Sequence, residues 1–233
     1  MTKKPPTGVL ERALIILECF TQANPRLGLK DVADLSALDK STALRALRTL
    51  VDYGYLIRHA DGSYSPGPSN LRLASLFRSS SNTISRLEQP ITNICRQVGA
   101  TTSFFVRSNE DRMCLVRDHV HTNFRYFIEV GASVPLSHGG AAARVLKAYT
   151  EPGMEDAVSS GVIRRGYYIS RGERHKHFVS IGIPLFESDR TFLGAITITG
   201  MSVDLTDDDL RSFFDKVCKE MRSAGFWAGF PPA

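Results

Sequence analysis

The stretch from Leu27 to Gly67, LGLKDVADLSALDKSTALRALRTLVDYGYLIRHADGSYSPG, decides the fold of the first part of the chain. Lys30 to Ser36 reads as a short helix carrying Val32, Ala33 and Leu35, and Ala37-Leu38-Asp39 makes a tight connection after it. Asp39 belongs to the residue types whose side chain accepts a backbone N–H at a helix start, so a helix is expected from Lys40 to about Tyr53. Ala43, Ala46, Leu47, Leu50 and Val51 recur at helical spacing on one face, which leaves Lys40, Ser41, Thr42, Leu44, Arg45 and Arg48 toward the others. Gly54 is placed to end that helix in left-handed backbone. Tyr55 to Arg58 and Ser63 to Ser65 then read as two strands joined at the turn signal Asp61-Gly62. Short helix, tight turn, longer helix and hairpin is the plan of a winged helix-turn-helix, mainly α with a β-hairpin wing.

Such a segment has an obvious partner in double-stranded DNA. A helix fits the major groove, where its exposed N-terminal residues reach base edges while basic neighbours neutralise phosphates. Lys40, Ser41 and Thr42 lie in the first turn, whose amides attract phosphate. Arg45 is the candidate for bidentate reading of guanine, Leu44 for contact with a thymine methyl, and Arg48, Arg58 and Tyr64 for backbone contacts that position without specifying. The charge distribution agrees. Residues 1–80 hold 11 of the 29 Lys+Arg and 7 of the 24 Asp+Glu, net +4, which leaves 18 and 17, net +1, for the rest.

Outward from this segment, Leu10, Ala13, Leu14 and Leu17, widened by Ile16 and Phe20, predict a first helix with a broad buried face, stopped before Asn24-Pro25. After Pro66-Gly67-Pro68, residues Leu71, Leu73, Leu76 and Phe77 suggest a connecting helix that ends in the polar run Arg78 to Asn82. Ile84, Leu87, Ile91, Ile94 and Val98 share one face of a further helix, ending at Gly99. Beyond it the composition turns toward strands: Thr102–Val106, Met113–Asp118, Phe124–Glu129, Tyr167–Ser170, Val179–Phe186 and Phe192–Thr199. Helices are expected near Gly140–Tyr149 and Glu155–Ser159, and a last one from Asp207 with Leu210, Phe213, Phe214, Val217, Met221 and Trp227 on its buried side. The division expected is 1–68 for the winged helix-turn-helix, 69–82 for a linker helix and 83–233 for an α+β domain.

The chain of 233 residues, 42% hydrophobic and 23% charged, has enough apolar material for two cores. Its four cysteines, Cys19, Cys95, Cys114 and Cys218, stand singly, and no apolar run approaches the roughly 20 residues of a membrane span. A reduced, cytoplasmic setting without membrane association is therefore expected.

The stretches RALIILECF, LGLKDVADLSALDKSTALRALRTLVDYGYL and DGSYSPGPSNLRLASL resemble the N-terminal domain of IclR-family transcriptional regulators. VPLSHGGAAARVLKAY and GYYISRGERHKHFVSIGIPLFESDRTFLGAITITG resemble that family's C-terminal domain. The resemblance implies a GAF-like effector-binding domain, a homodimer or dimer of dimers, and operator DNA binding tuned by a small-molecule effector. By motif position it also implies effector contacts from Gly140 and Ala141 at the turn entering a helix, and from Ser170, Ser180, Thr197 and Thr199 on later strands. Hydroxyls beside a helix N-terminus suit a small organic or aromatic acid without a buried cation. For Thr197 and Thr199, an ordinary β-branched strand face is an equally good account.

Other readings stay open. A small-molecule-binding enzyme is one, although Gly-x-Ser-x-Gly, phosphate-loop and dinucleotide fingerprints are absent, so neither catalysis nor a cofactor is expected. A protein-interaction module with a winged helix that does not bind DNA is another. His119 with His121 and His175 with His177 have the alternation of a strand face, yet no carboxylate or cysteine is tied to them by a metal-binding spacing, and no metal is expected. Thr206 followed by Asp207-Asp208-Asp209 reads as a helix start.

Overall fold

Asp39 sets the central helix of the first unit. In a computed structural model, which describes residues 8–119, 128–151 and 156–232, its Oδ1 accepts from the Thr42 amide at 2.9 Å. The helix it caps, α3, runs Lys40–Asp52. Before it come α1, Val9–Glu18, and α2, Leu29–Ser36. Gly54 follows α3 at φ 73°, and the wing is a two-stranded sheet of β1, Leu56–Arg58, and β2, Tyr64–Pro66. The wing loop closes with His59 N donating to Ser63 O at 2.8 Å and Gly62 N to His59 O at 3.0 Å, with Gly62 at φ 81°. Ile16, Leu27, Val32, Leu47, Leu50, Leu56 and Tyr64 form one buried cluster beneath α3.

The next helix, α4, spans Pro68–Ser80 with proline in its first turn, where the missing N–H costs nothing. The chain divides after Ser81 into two compact units, Met1–Ser81 and Asn82–Ala233.

Two expectations about the first unit are corrected. Leu10 and Leu14 were assigned to the buried face of α1, but both are exposed and only Ile16 is fully buried there. The apolar stripe on α1 is wider than the surface that α3 covers. Leu35 is likewise exposed, because the inward face of α2 is taken by Val32, Ala33 and Ser36. None of the residues of α4 is buried, and Leu71, Leu73, Leu76 and Phe77 all lie open.

The second unit opens with α5, Asn82–Val98, and is organised by a seven-stranded antiparallel sheet. Its strands are β3, Thr101–Ser108; β4, Asp111–Asp118; β5, Ser133–Pro135; β6, Tyr168–Arg171; β7, Phe178–Phe186; β8, Phe192–Met201; and β9, Trp227–Ala228. The order is β5-β4-β3-β8-β7-β6, with β9 also paired to β7. Strand alternation splits the side chains between two layers. Val179, Ile181, Ile183, Leu185, Ile196 and Ile198 pack with Ile84, Leu87, Ile91 and Ile94 of α5 and with Leu210, Phe213, Val217 and Met221 of the last helix, α8, Asp207–Ser223. On the other face, Phe105, Cys114 and Ala195 pack with α6, Ala141–Thr150, and with Val162 of α7, Ala157–Arg165.

Trp227 was expected on α8. Instead Gly225, at φ 80°, turns the chain, Phe226 N donates to Met221 O at 2.8 Å, and the fully buried Phe226 fills the position that periodicity assigned to the tryptophan. Of the helix expected near Glu155–Ser159, Glu155 lies outside the described residues; the helix runs Ala157–Arg165, with Gly161 buried within it. Its N-cap is Asp156, which accepts from Ser159 N at 2.7 Å. Of the strand expected at Phe124–Glu129, positions 124–127 lie outside the described residues, and β5 is too short for alternation to signal it. No helix among the described residues is long and apolar enough to cross a membrane.

Candidate nucleic-acid interface and ligand cavity

In the first unit the N-terminus of α3 is capped twice over. Besides the Thr42 amide, Asp39 Oδ1 accepts from the Ser41 hydroxyl at 2.6 Å, and these bonds hold the Asp39 carboxyl well below the usual carboxylate range. Lys40, Ser41, Arg45 and Arg48 are exposed, while Thr42 and Leu44 are half-buried. Arg45 Nη2 lies 3.4 Å from Thr42 Oγ1, so the guanidinium leans back over the first turn, as side chains on a helix do. Arg58 is exposed at the end of β1.

Tyr64 does not belong with these residues. It is 2% exposed and sits in the core beside Leu47 and Leu56. Its amide and carbonyl exchange bonds with Leu27 at 2.8 and 3.0 Å, which staple the wing to the start of α2. The alternation Ser63-Tyr64-Ser65 already carried that signal, since a lone apolar residue between two polar ones faces inward on a strand. Because Tyr64 packs into the core with only 2% of its surface exposed, Tyr64→Phe is expected to change duplex affinity less than twofold in a titration with labelled DNA. A tenfold loss would restore the phosphate contact.

A residue that the sequence reading missed governs the wing tip. Arg26 donates from Nη2 to Asp61 Oδ2 at 2.9 Å and from Nε to Ser63 Oγ at 2.5 Å. The Ser63 hydroxyl and amide, then Arg26, hold the Asp61 carboxyl far below its ordinary range, so the turn carries an ion pair there.

In the second unit, pairing aligns hydroxyls into rows across the sheet. Thr101 of β3 stands opposite Thr199 of β8, Thr199 opposite Ser180 of β7, and Ser180 opposite Ser170 of β6. Two residues along, Ser103 faces Thr197, which faces Gly182. Gly182 is where α6 lands: a Cβ there would lie 2.7 Å from the Ala141 carbonyl oxygen. Only glycine lets the helix start come so close to the sheet.

Between that helix start and the hydroxyl rows lies a cavity of about 270 Å³. Gly140, Ala141, Ser170, Ser180, Thr197 and Thr199 all line it, with Thr101, Ser103, the rings of Phe105 and Phe178, and Arg112. Gly139 and Gly140, at φ 69° and 90°, form the turn into α6. The N-cap is Gly140, so no side chain caps the helix.

Arg112 corrects the expectation of a pocket without a buried cation. It is 2% exposed, and Nη1 donates to Gly139 O at 2.8 Å. Burial pushes its pKa down to about 10, with Arg174 adding to the effect and Asp111 and Glu173 opposing it. The strand was expected to begin at Met113. It begins at Asp111, and the alternation with buried Cys114 turns Arg112 toward α6.

Glu173 sits on the opposite side of the same turn. Its Oε2 accepts from Gly140 N at 3.2 Å and from Arg144 Nε at 3.0 Å, and its Oε1 from the Tyr168 hydroxyl at 2.9 Å. Burial works against the Glu173 carboxylate, but these three donors outweigh it and lower its pKa. The His175 and His177 rings lie 5.5 Å apart, and no group of three metal-ligating side chains is assembled among the described residues. His121 lies outside them. Cys114, which also lies on this face, is raised to about 12 by burial and serves as packing.

Comparison with known proteins adds three kinds of likeness. Residues 9–59 match the model of the IclR helix-turn-helix domain. A glycerol operon regulatory protein of Streptomyces coelicolor is 29% identical, the match covering 82% of this chain and 84% of that protein. Among solved structures, an IclR transcriptional regulator from Silicibacter sp. TM1040 superposes with a TM-score of 0.78 at 25% identity, over 94% of this chain and 93% of the other. An IclR homologue from Microbacterium hydrocarbonoxydans, solved in complex with 4-hydroxybenzoate, superposes with a TM-score of 0.70 at 20% identity, over 93% and 100% of the two chains.

Proposed function

The chain belongs to the IclR family of transcriptional regulators, and from that premise we propose that α3 reads an operator in the major groove while the cavity of the second unit binds a small organic or aromatic acid that tunes operator affinity. The observation that carries the DNA half is the exposed start of α3, with Lys40, Arg45 and Arg48 open to solvent on a helix whose opposite face is buried. Arg45 reads a base, Arg48 and Arg58 bind phosphate, and Leu44, half-buried, meets a base edge only where the groove wall presses close. Ser41, engaged by Asp39, offers its oxygen more readily than its proton.

The effector half rests on the cavity, where hydroxyls on four strands face an uncapped helix start. The relative that holds 4-hydroxybenzoate supports an aromatic acid as one member of the class. Association into a dimer, or a dimer of dimers, places two α3 helices on paired half-sites, and effector binding then acts by changing which arrangement of the pair is populated. The apolar side chains left open on α1 and α4 are the candidate surface for a second copy.

Arg45→Ala is expected to lose about 1–3 kcal/mol on the preferred sequence and little on others, flattening base preference at one position. Arg48→Ala should weaken all duplexes alike and lower the salt slope by about one counterion. Binding measured on a set of single-base operator variants at several salt concentrations separates the two. If Arg45→Ala retains the base preference, the reading residue lies elsewhere.

A further inference from the structure

The turn into α6 is held between opposite charges through one peptide group. The Gly139–Gly140 peptide offers its oxygen to the Arg112 guanidinium and its N–H to the Glu173 carboxylate. On the Glu173 side the charge is matched by Arg144. On the Arg112 side it is not: among the described residues no carboxylate lies within ion-pair distance of the guanidinium, and its hydrogen bond is to a carbonyl. A cation that is 2% exposed, opposed by no anion of its own, is an expensive group to bury. Arg112 lies in the wall of a cavity beside the start of α6, where Glu173 takes the Gly140 N–H and no side chain caps the amides that follow, so the cation and those amides border the same space.

Resting on the reading of this cavity as the effector site, we propose that Arg112 determines the charge of the effector: its guanidinium anchors a carboxylate between β4 and the start of α6, so that the cavity takes acids in preference to their neutral amides. The hydroxyl rows then accept the remainder of the molecule, and Phe105 and Phe178 border its apolar part. The cost of the buried cation is met when the acid binds, so occupancy and charge neutralisation are a single event. Glu173 keeps the Gly140 N–H and Arg144 engaged throughout, which confines the incoming carboxylate to Arg112 and the amides that follow Gly140.

Matched acid and amide probes test this on the full chain: benzoate with benzamide, 4-hydroxybenzoate with 4-hydroxybenzamide, and phenylacetate with phenylacetamide, each titrated by calorimetry at constant ionic strength. The acid of any pair that binds is expected to bind about 10- to 100-fold more tightly than its amide, the range for a hydrogen bond to a charged group. R112M, an apolar chain of similar length, should erase that gap while melting at or above the unliganded wild type, since it removes an unmatched buried charge. R112K should keep part of the preference.

A residue that merely braced Gly139 would behave otherwise, with R112M melting lower and the gap intact, and that result overturns the assignment. Equal affinity of the wild type for acid and amide overturns it too, while leaving the cavity as a binding site. Failure of every probe to bind the wild type removes the effector reading of the cavity and the assignment with it. Should R112M fail to fold, the wild-type gap and its partial retention in R112K decide.

Discussion

Leu47→Ala is expected to abolish duplex binding while leaving the second unit intact. Leu47 is fully buried at the centre of the cluster that joins α1, α2, α3 and the wing. Removing its side chain leaves a cavity bounded by Ile16, Val32 and Leu56, at a cost of about 2–5 kcal/mol. A unit of this size has little stability to spare, so such a loss populates the unfolded state under ordinary conditions. Calorimetry should find the transition of the first unit lowered by roughly 10 °C or more, at about 4–8 °C for each kcal/mol in a small domain. The transition of the second unit, which has separate cores, should not move. Retained duplex affinity in the variant would mean that DNA is bound by some other surface.

Gly182→Ala makes the complementary experiment on the second unit. The added Cβ would meet the Ala141 oxygen at 2.7 Å and its carbonyl carbon at 2.8 Å, and backbone atoms cannot rotate away as a side-chain tip can. The start of α6 must lift from β7, or the sheet must bend beneath it. Overpacking of this kind costs about 1–3 kcal/mol, and a unit of this length loses roughly 2–4 °C for each kcal/mol. The larger consequence is local: Ala141, Gly140 and the hydroxyl rows can no longer hold their present spacing, so binding of any acid that fits the wild type should fall at least tenfold. A variant that binds such an acid normally would show that the cavity does not depend on this close approach.

Much of this architecture was legible in the residues, for identifiable reasons. The first unit is built from local signals, a capping aspartate, an apolar face at helical spacing, Gly54 and Asp61-Gly62, and each of these acts within a few residues of itself. What failed there were choices of face. The stripe on α1 reads as wholly buried because periodicity shows which residues are apolar without showing how much surface the neighbouring helix can cover. Tyr64 was placed with Arg58 among the backbone contacts of the wing, against its own alternation.

In the second unit the strands were legible from their β-branched composition, but their pairing was not, since register is a long-range property. The hydroxyl row from Thr101 through Thr199 and Ser180 to Ser170 exists only once four strands align. The family resemblance located six of the cavity residues. It did not indicate Arg112, whose burial follows from β4 beginning two residues earlier than its apolar pattern. The role of Gly182 was equally invisible, because the surface it must clear belongs to a helix about 40 positions away.

Regulation by this chain requires sequence-selective duplex binding by α3. Selection of bound sequences from a random duplex library at low salt, carried out in parallel with wild type and Arg45→Ala, tests it most directly. The predicted result is a recurrent motif from the wild type, repeated at a spacing of whole helical turns, with one position losing its preference in the variant and affinity falling linearly with the logarithm of salt concentration. Recovery of no motif from the wild type, or of the same motif from both proteins, would contradict it.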